Sequence, residues 1–144
     1  MRKSEPHPSL HWLEKLQRSP RVDEMHPLGA RLVFALRLIA LHRKARRDPV
    51  PELAARLGNL GVAIHALELV ETLGMVWPDP IQVSRICCQC LTPDEATLGH
   101  AMKAASVRDR DAFVAQFEGL LRPHRIDALW EQAVSLVAAE YAAG

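Results

Sequence analysis

The longest apolar stretch of the chain, Leu28 to Leu41, constrains the fold more than any other segment; it reads LGARLVFALRLIAL. A helix drawn through it is apolar on most sides, so the pattern predicts a helix from about Leu28 to Arg46 that is buried at the centre of the molecule. Arg31 and Arg37 interrupt the stretch, which is therefore too short and too charged to span a bilayer.

Signals for further helices follow along the rest of the chain. Prolines at first helical positions, and a capping box formed by Thr92 and Glu95, mark helix starts. The predicted helices lie at about 10–18, 51–57, 62–73, 93–105, 109–121 and 126–142. Hydrophobic residues make up 49% of the chain, enough to fill a core without disulfide bonds. We expect a mainly α fold, a compact single-domain bundle of six to seven helices over residues 9–144, after a flexible arm at residues 1–8.

The charge balance and the N-terminal residues indicate the cellular compartment of the protein. The formal net charge is +1, so no overall field attracts nucleic acid or an anionic membrane. The first residues, MRKSEPHPSL, contain no apolar run and do not have the pattern of a signal peptide. We therefore predict a cytoplasmic protein with no membrane partner, in a compartment that keeps thiols reduced.

All three cysteines lie together just before a helix start, in the segment ICCQCLTPDEATL. A tetrahedral zinc site needs four ligands, so Cys87, Cys88 and Cys90 would be completed by His100 or His65, and the cofactor would be zinc or another thiophilic metal. A thiol close to a helix N-terminus is also suited to redox chemistry, because the helix dipole favours the thiolate. Free cysteines also pack in cores as small apolar residues. All three interpretations stay open.

Residues 52–76 contain a second pattern. Ala54, Gly58 and Ile64 have the spacing of a helix-turn-helix core. A short β-hairpin at about 75–91, with Ile81 and Val83 on one side of a strand, would complete a unit that looks like the winged-helix domains of bacterial regulators. In this alternative, the residues that contact nucleic acid are Arg43, Lys44, Arg46, Arg47, Asn59 and His65.

Three segments together resemble an uncharacterised family of small helical alphaproteobacterial proteins, typical of sphingomonad-type genomes. They are ARLVFALRLIALH, LGNLGVAIHALELV and IQVSRICCQCLTPDE, within about Ala30 to Leu98. In that family a proline precedes three consecutive cysteines; here Arg85 and Ile86 replace the first two of those four positions, and Cys90 lies outside the pattern. The family has no known activity, so the resemblance directs attention to the cysteines without implying a reaction. The matching residues of the last segment are Ile81, Val83, Cys87, Cys88, Thr92, Asp94 and Glu95.

The sequence gives no support for catalysis, because it contains no P-loop, dinucleotide-binding fingerprint, zinc-protease motif or nucleophile elbow. The leading hypothesis is a non-enzymatic regulatory or interaction protein whose cysteine cluster binds a soft metal or senses redox state. Its partner would be an unidentified protein or a second copy of the chain. A winged-helix-like DNA-binding regulator and a structural module for oligomerisation are the two alternatives.

Overall fold

The computed structural model describes residues 20–144; the arm and the first helix predicted before residue 20 lie outside that range. A short 3-10 helix, Val22–Glu24, precedes six α-helices. These are α1 (Pro27–Lys44), α2 (Val50–Leu57), α3 (Leu60–Val76), α4 (Pro93–Ser106), α5 (Arg110–Phe117) and α6 (Pro123–Ala143). The mainly helical, compact fold is thereby confirmed, and each helix predicted after residue 20 is present with bounds shifted by a few residues.

Helix α1 is the buried central helix that its apolar pattern predicts. It packs against α4 and also contacts α2 and α3. Helices α1 and α4 approach closely at two glycines, because a Cβ atom added to Gly29 would lie 2.8 Å from the carbonyl oxygen of Gly99. No helix within residues 20–144 is long and apolar enough to cross a bilayer. The apolar side chains that α1 buries are those of Leu32, Val33, Ala35, Leu36, Leu38 and Ile39.

Local capping explains where the helices begin and end. Gly58 ends α2 with a φ of +82°, a conformation that glycine adopts without strain. The side chain of Asn59 then begins α3 by accepting a hydrogen bond of 3.0 Å from the backbone N–H of Val62. The predicted capping box of α4 is formed in both directions between Thr92 and Glu95. These starts and stops follow from residues within a few positions of each helix end.

A cluster of aromatic rings fills the far end of the core, where the end of α3 meets α5 and α6. The ring centroids of Phe113 and Phe117 lie 5.1 Å apart, and Trp130 lies 5.2 Å from Phe113 in an edge-on arrangement. Trp77 approaches Phe117 at 6.1 Å. Rings at these separations add attraction to the area that they bury. The cluster therefore joins the last two helices, α5 and α6, to the end of α3.

Residues 78–92 connect α3 to α4 without forming the predicted β-hairpin, so that prediction is wrong. No strand is present within residues 20–144, and only an isolated antiparallel bridge joins Arg21 to Cys90. Backbone groups of the connection bond to side chains near the start of α4 instead. The Gln82 N–H donates to Asp94 at 2.9 Å, and the Thr92 hydroxyl donates to the Gln82 carbonyl at 2.6 Å. Because side chains satisfy these groups, and the WPDP turn contributes two residues without an N–H, no pairing between strands forms.

Candidate functional site

The three cysteines lie on a surface loop, residues 84–91, that we refer to as the thiol loop. Cys87 and Cys90 are exposed and Cys88 is half-buried, and all three are free thiols. The loop contains a tight turn in which the Cys88 N–H donates to the carbonyl of Arg85 at 3.0 Å. Cys87 and Cys90 therefore do not fill the core, in contrast to the core-packing interpretation.

The side chain of Arg37, on α1, lies under the thiol loop and bonds to the main chain of that loop. The guanidinium donates from one terminal nitrogen to the carbonyl of Cys88 at 2.7 Å and from the other to the carbonyl of Cys90 at 3.0 Å. The Arg37 side chain is only 3% exposed, so these bonds are shielded from water. The loop is thus fixed at two of its three cysteines by their main chain, and their thiols take no part in that contact.

Glu95 of α4 completes the site by pairing with Arg37 through two hydrogen bonds. The Arg37 Nε donates to one carboxylate oxygen at 2.7 Å and the terminal nitrogen Nη2 donates to the other at 3.0 Å. The same carboxylate accepts the backbone N–H of Ser84 at 3.2 Å and that of Thr92 at 2.9 Å. We refer to Arg37 and Glu95 as the buried ion pair; it ties α1, both ends of the thiol loop and the start of α4 together.

The electrostatics of the buried ion pair follow from its hydrogen bonds. Burial alone would raise the pKa of Glu95, but the bonds from Arg37, Thr92 and Ser84 outweigh it, and the pKa lies below its ordinary value. The pKa of Arg37 is raised, mainly by the hydrogen bond to Glu95, and the neighbouring cysteines add to that effect when they are ionised. Both groups are therefore charged near neutral pH, and a buried charge pair is tolerated because its polar atoms are bonded.

A small cavity lies between the thiol loop and α1. Its volume is about 80 Å³, room for two or three water molecules at about 30 Å³ each. Cys87 and Cys88 line it from the loop, Val33 and Phe34 line it from α1, and Arg37 contributes its polar part. The half-buried Cys88 is therefore bounded by a small space with mostly apolar walls.

The cysteines and histidines do not assemble the predicted zinc site. Within residues 20–144, no group of three or more His, Cys, Asp or Glu side chains is placed to hold a metal ion. His100 is exposed on α4, and the cavity that it lines contains none of the three cysteines. His65 lies on α3, with its Nδ1 atom 3.9 Å from a carboxylate oxygen of Glu68. The four-ligand interpretation of Cys87, Cys88 and Cys90 is thus not supported.

The residues of the nucleic-acid hypothesis do not combine with α3 into a basic surface, and Arg43 is paired with Glu71 of that helix at 3.5 Å. Helices α2 and α3 do pack on each other across their short turn, but α3 contains no Lys or Arg. Its exposed side chains include the apolar Leu60 and Ile64 and the acidic Glu68 and Glu71, which repel phosphate. Asn59 is used as the helix cap. The basic residues at the end of α1 are exposed, and they are Arg43, Lys44, Arg46 and Arg47.

Sequence reasoning did not identify Arg37 as part of the site. An arginine inside an apolar helix suggests a buried partner, since an unpaired buried charge is very costly, but α1 contains two such arginines. The sequence also contained the second half of the pair, because a capping-box glutamate lies at a fixed position in the first turn of a helix. Neither pattern predicts that Arg37 and Glu95 contact each other.

Comparison with known proteins adds no relative to this description. No protein-family model, curated protein or solved structure matches the chain.

Proposed function

We propose that the chain is a regulatory or interaction protein whose functional element is the thiol loop, and that it responds to oxidants that react with thiols. One observation carries the proposal. Two exposed thiols and one half-buried thiol lie on a short loop whose main chain is bonded to a buried ion pair. A loop of this kind presents its thiols in a fixed arrangement at the surface, where small oxidants and protein partners reach them.

Cationic groups around the loop support thiol chemistry there. The thiolate is the reactive form of cysteine. Arg37 lies beneath Cys87 and Cys88, close enough for their charges to add to the raised pKa of Arg37. The pKa of Arg21 is also raised, mainly by its hydrogen bond to Asp23, and the charge of Cys90 contributes further. Each cysteine therefore has a guanidinium in its surroundings.

The test is a comparison of thiol reactivity in the folded and the unfolded chain. Fully reduced protein is treated with hydrogen peroxide or diamide, quenched with an isotopically labelled alkylating agent, and analysed peptide by peptide by mass spectrometry. The same rates are measured in concentrated urea, where the surroundings of the loop are lost. We expect at least one thiol to react several-fold faster in the folded protein.

Two variants identify the source of the reactivity. Arg85 is exposed on the turn of the thiol loop, and Arg125 is exposed on α6. We expect Arg85→Gln to slow the reaction of the folded protein and Arg125→Gln to leave it unchanged. If all three cysteines react no faster in the folded chain than in urea, the loop has no special thiol chemistry and the proposal is wrong.

A further inference from the structure

The three thiols differ in how freely a group attached to sulfur could be accommodated. The side chains of Cys87 and Cys90 are exposed, so an adduct on either sulfur extends into solvent. Cys88 is half-buried, lines the cavity of about 80 Å³ together with the more exposed Cys87, and has its own carbonyl bonded to Arg37 at 2.7 Å. An adduct on Cys88 that extends into this space and exceeds it displaces the loop from Arg37.

We propose that Cys88 is a site of S-thiolation by an anionic low-molecular-weight disulfide of the glutathione type, and that the adduct separates the thiol loop from the buried ion pair. This inference rests on the proposed function, since it names the thiol and the oxidant class through which the loop acts. The exposed Cys87 and Cys90 accept the same adduct while the loop stays in place.

The reaction is a thiol–disulfide exchange that needs no other reactant. The Cys88 thiolate attacks one sulfur of the disulfide, a new S–S bond forms, and the S–S bond of the reagent breaks. One half of the reagent leaves as a thiolate, which takes up the proton that Cys88 released. Cys88 is oxidised, and the leaving half of the reagent is reduced.

Charge complementarity favours a reagent with carboxylates. Arg85 is exposed on the turn before Cys87, while Arg21, whose main chain is bridged to that of Cys90, already pairs with Asp23 at 3.2 Å. Once the loop moves, the Nη1 group of Arg37, which bonds to the Cys88 carbonyl, becomes free to donate to an anion. Each half of a glutathione-type disulfide carries two carboxylates and one ammonium group, so its net negative charge matches this surface.

Movement of the loop reaches α4 through Glu95. The carboxylate that pairs with Arg37 also accepts the N–H groups of Ser84 and Thr92. When the loop leaves Arg37, the N–H of Ser84 loses its acceptor and the first turn of α4 loses part of its support. A modification at the surface is thus converted into opening at a helix start, which a partner protein can detect. By linkage, weakening the ion pair must in turn make Cys88 easier to modify.

The first experiment places adducts of two sizes on single thiols. The variant Cys87→Ser/Cys90→Ser retains only Cys88, and the matched variant Cys88→Ser/Cys90→Ser retains only Cys87. Each is converted to the glutathione adduct with glutathione disulfide, or to the small methylthio adduct with methyl methanethiosulfonate. Hydrogen exchange of the amides of Ser84 and Thr92 is then measured by NMR. We expect the exchange of these amides to become at least about tenfold faster when glutathione is attached to Cys88. The other three adducts should leave the exchange rate unchanged. Unchanged protection in that adduct would overturn the proposal.

The second experiment reverses the direction of the coupling. Because weakening the ion pair lets the loop open more often and exposes Cys88, we expect Glu95→Gln, in the Cys88-only background, to accelerate the reaction with glutathione disulfide by about tenfold or more. Glu140→Gln breaks a comparable Arg–Glu pair elsewhere and should leave that rate unchanged, as should Glu95→Gln in the Cys87-only background. Equal rates in all backgrounds would overturn the proposal.

The adduct experiment keeps the buried ion pair intact, so it decides the matter even if Glu95→Gln does not fold. If the exposed thiols react rapidly but Cys88 adducts change nothing, only this inference fails and the proposed function stands.

Discussion

Two arginines of α1 make nearly identical contacts at two different depths in the molecule. Arg37 pairs with Glu95 through distances of 2.7 and 3.0 Å, and Arg31 pairs with Glu140 through distances of 2.7 and 2.9 Å. Each also donates to the main chain, Arg31 to the carbonyl of Leu57 at 2.7 Å. The side chains of the first pair are 3% and 0% exposed, and those of the second are 37% and 8% exposed.

Depth decides what each pair does for the fold. When the Arg31–Glu140 pair, which we refer to as the half-exposed ion pair, opens, water replaces the lost bonds of Arg31 at little cost. When the buried ion pair opens, each charge remains in a place that water does not reach. The same contact therefore supports the end of α2 weakly and holds the thiol loop strongly. Because separation from the buried ion pair is costly, a modification that forces this separation produces a large structural change.

The largest expected effect is the loss of stability when one charge is removed from each pair, which should differ between the two pairs. Glu95→Gln leaves the Arg37 guanidinium buried without a counter-charge, so we expect the free energy of unfolding to fall by about 3–5 kcal/mol. Glu140→Gln leaves Arg31 partly in water, and we expect a loss under about 1 kcal/mol. Urea denaturation monitored by circular dichroism measures both. Equal losses would show that burial does not distinguish the pairs.

The next effect comes from removing both charges together. Arg37→Met/Glu95→Leu replaces the buried ion pair with apolar side chains, and we expect it to be more stable than Glu95→Gln by about 1–3 kcal/mol. Recovery is incomplete, because the carbonyls of Cys88 and Cys90 lose their donor. In the half-exposed pair, the effect of Arg31→Met/Glu140→Leu should differ from the sum of its single variants by no more than about 1 kcal/mol. A double-mutant cycle on each pair checks this, and strong coupling in both cycles would contradict it.

The dependence of stability on pH sharpens the comparison at the buried pair. The pKa of Glu95 lies lower in the folded than in the unfolded chain, so the unfolded chain binds more protons between the two values. The stability that this carboxylate contributes is present above the unfolded pKa of about 4.3 and is lost as the pH falls through the lower folded pKa. We expect the difference between wild type and Glu95→Gln in urea titrations to shrink below that pH. A difference that stays constant down to pH 3 would contradict the assignment.

The two arginines also show how far the sequence predicts this site. Both interrupt one apolar stretch, and the buried central helix that the stretch predicts is confirmed. The capping box was predictable because Thr92 and Glu95 are local to each other. The contact between Glu95 and Arg37 joins residues 58 positions apart, and it depends on how α1 and α4 cross. No local pattern distinguishes Arg37, which becomes buried, from Arg31, which does not.

The thiol loop shows the same limit in another form. A run of apolar residues and cysteines is compatible with a strand or with core packing, and the winged-helix alternative placed a hairpin there. The structure satisfies the main chain of the loop with the side chains of Arg37 and Glu95, so no neighbouring strand is needed. Because the carbonyls of Cys88 and Cys90 accept the buried bonds, the thiols of Cys87 and Cys90 are left at the surface.

The smallest expected effect uses salt to test whether depth alone separates the pairs. At about 1 M ionic strength the screening length falls to about 3 Å, which weakens exposed charge pairs far more than buried ones. We expect the small stability difference between wild type and Glu140→Gln to shrink between about 0.05 and 1 M sodium chloride, and the difference for Glu95→Gln to keep most of its size. Urea titrations at both salt concentrations measure this, with the wild type as the reference at each. If salt reduced both differences by the same fraction, water would reach Arg37 as readily as it reaches Arg31. The thiol loop would then lack the shielded attachment on which its proposed switching depends.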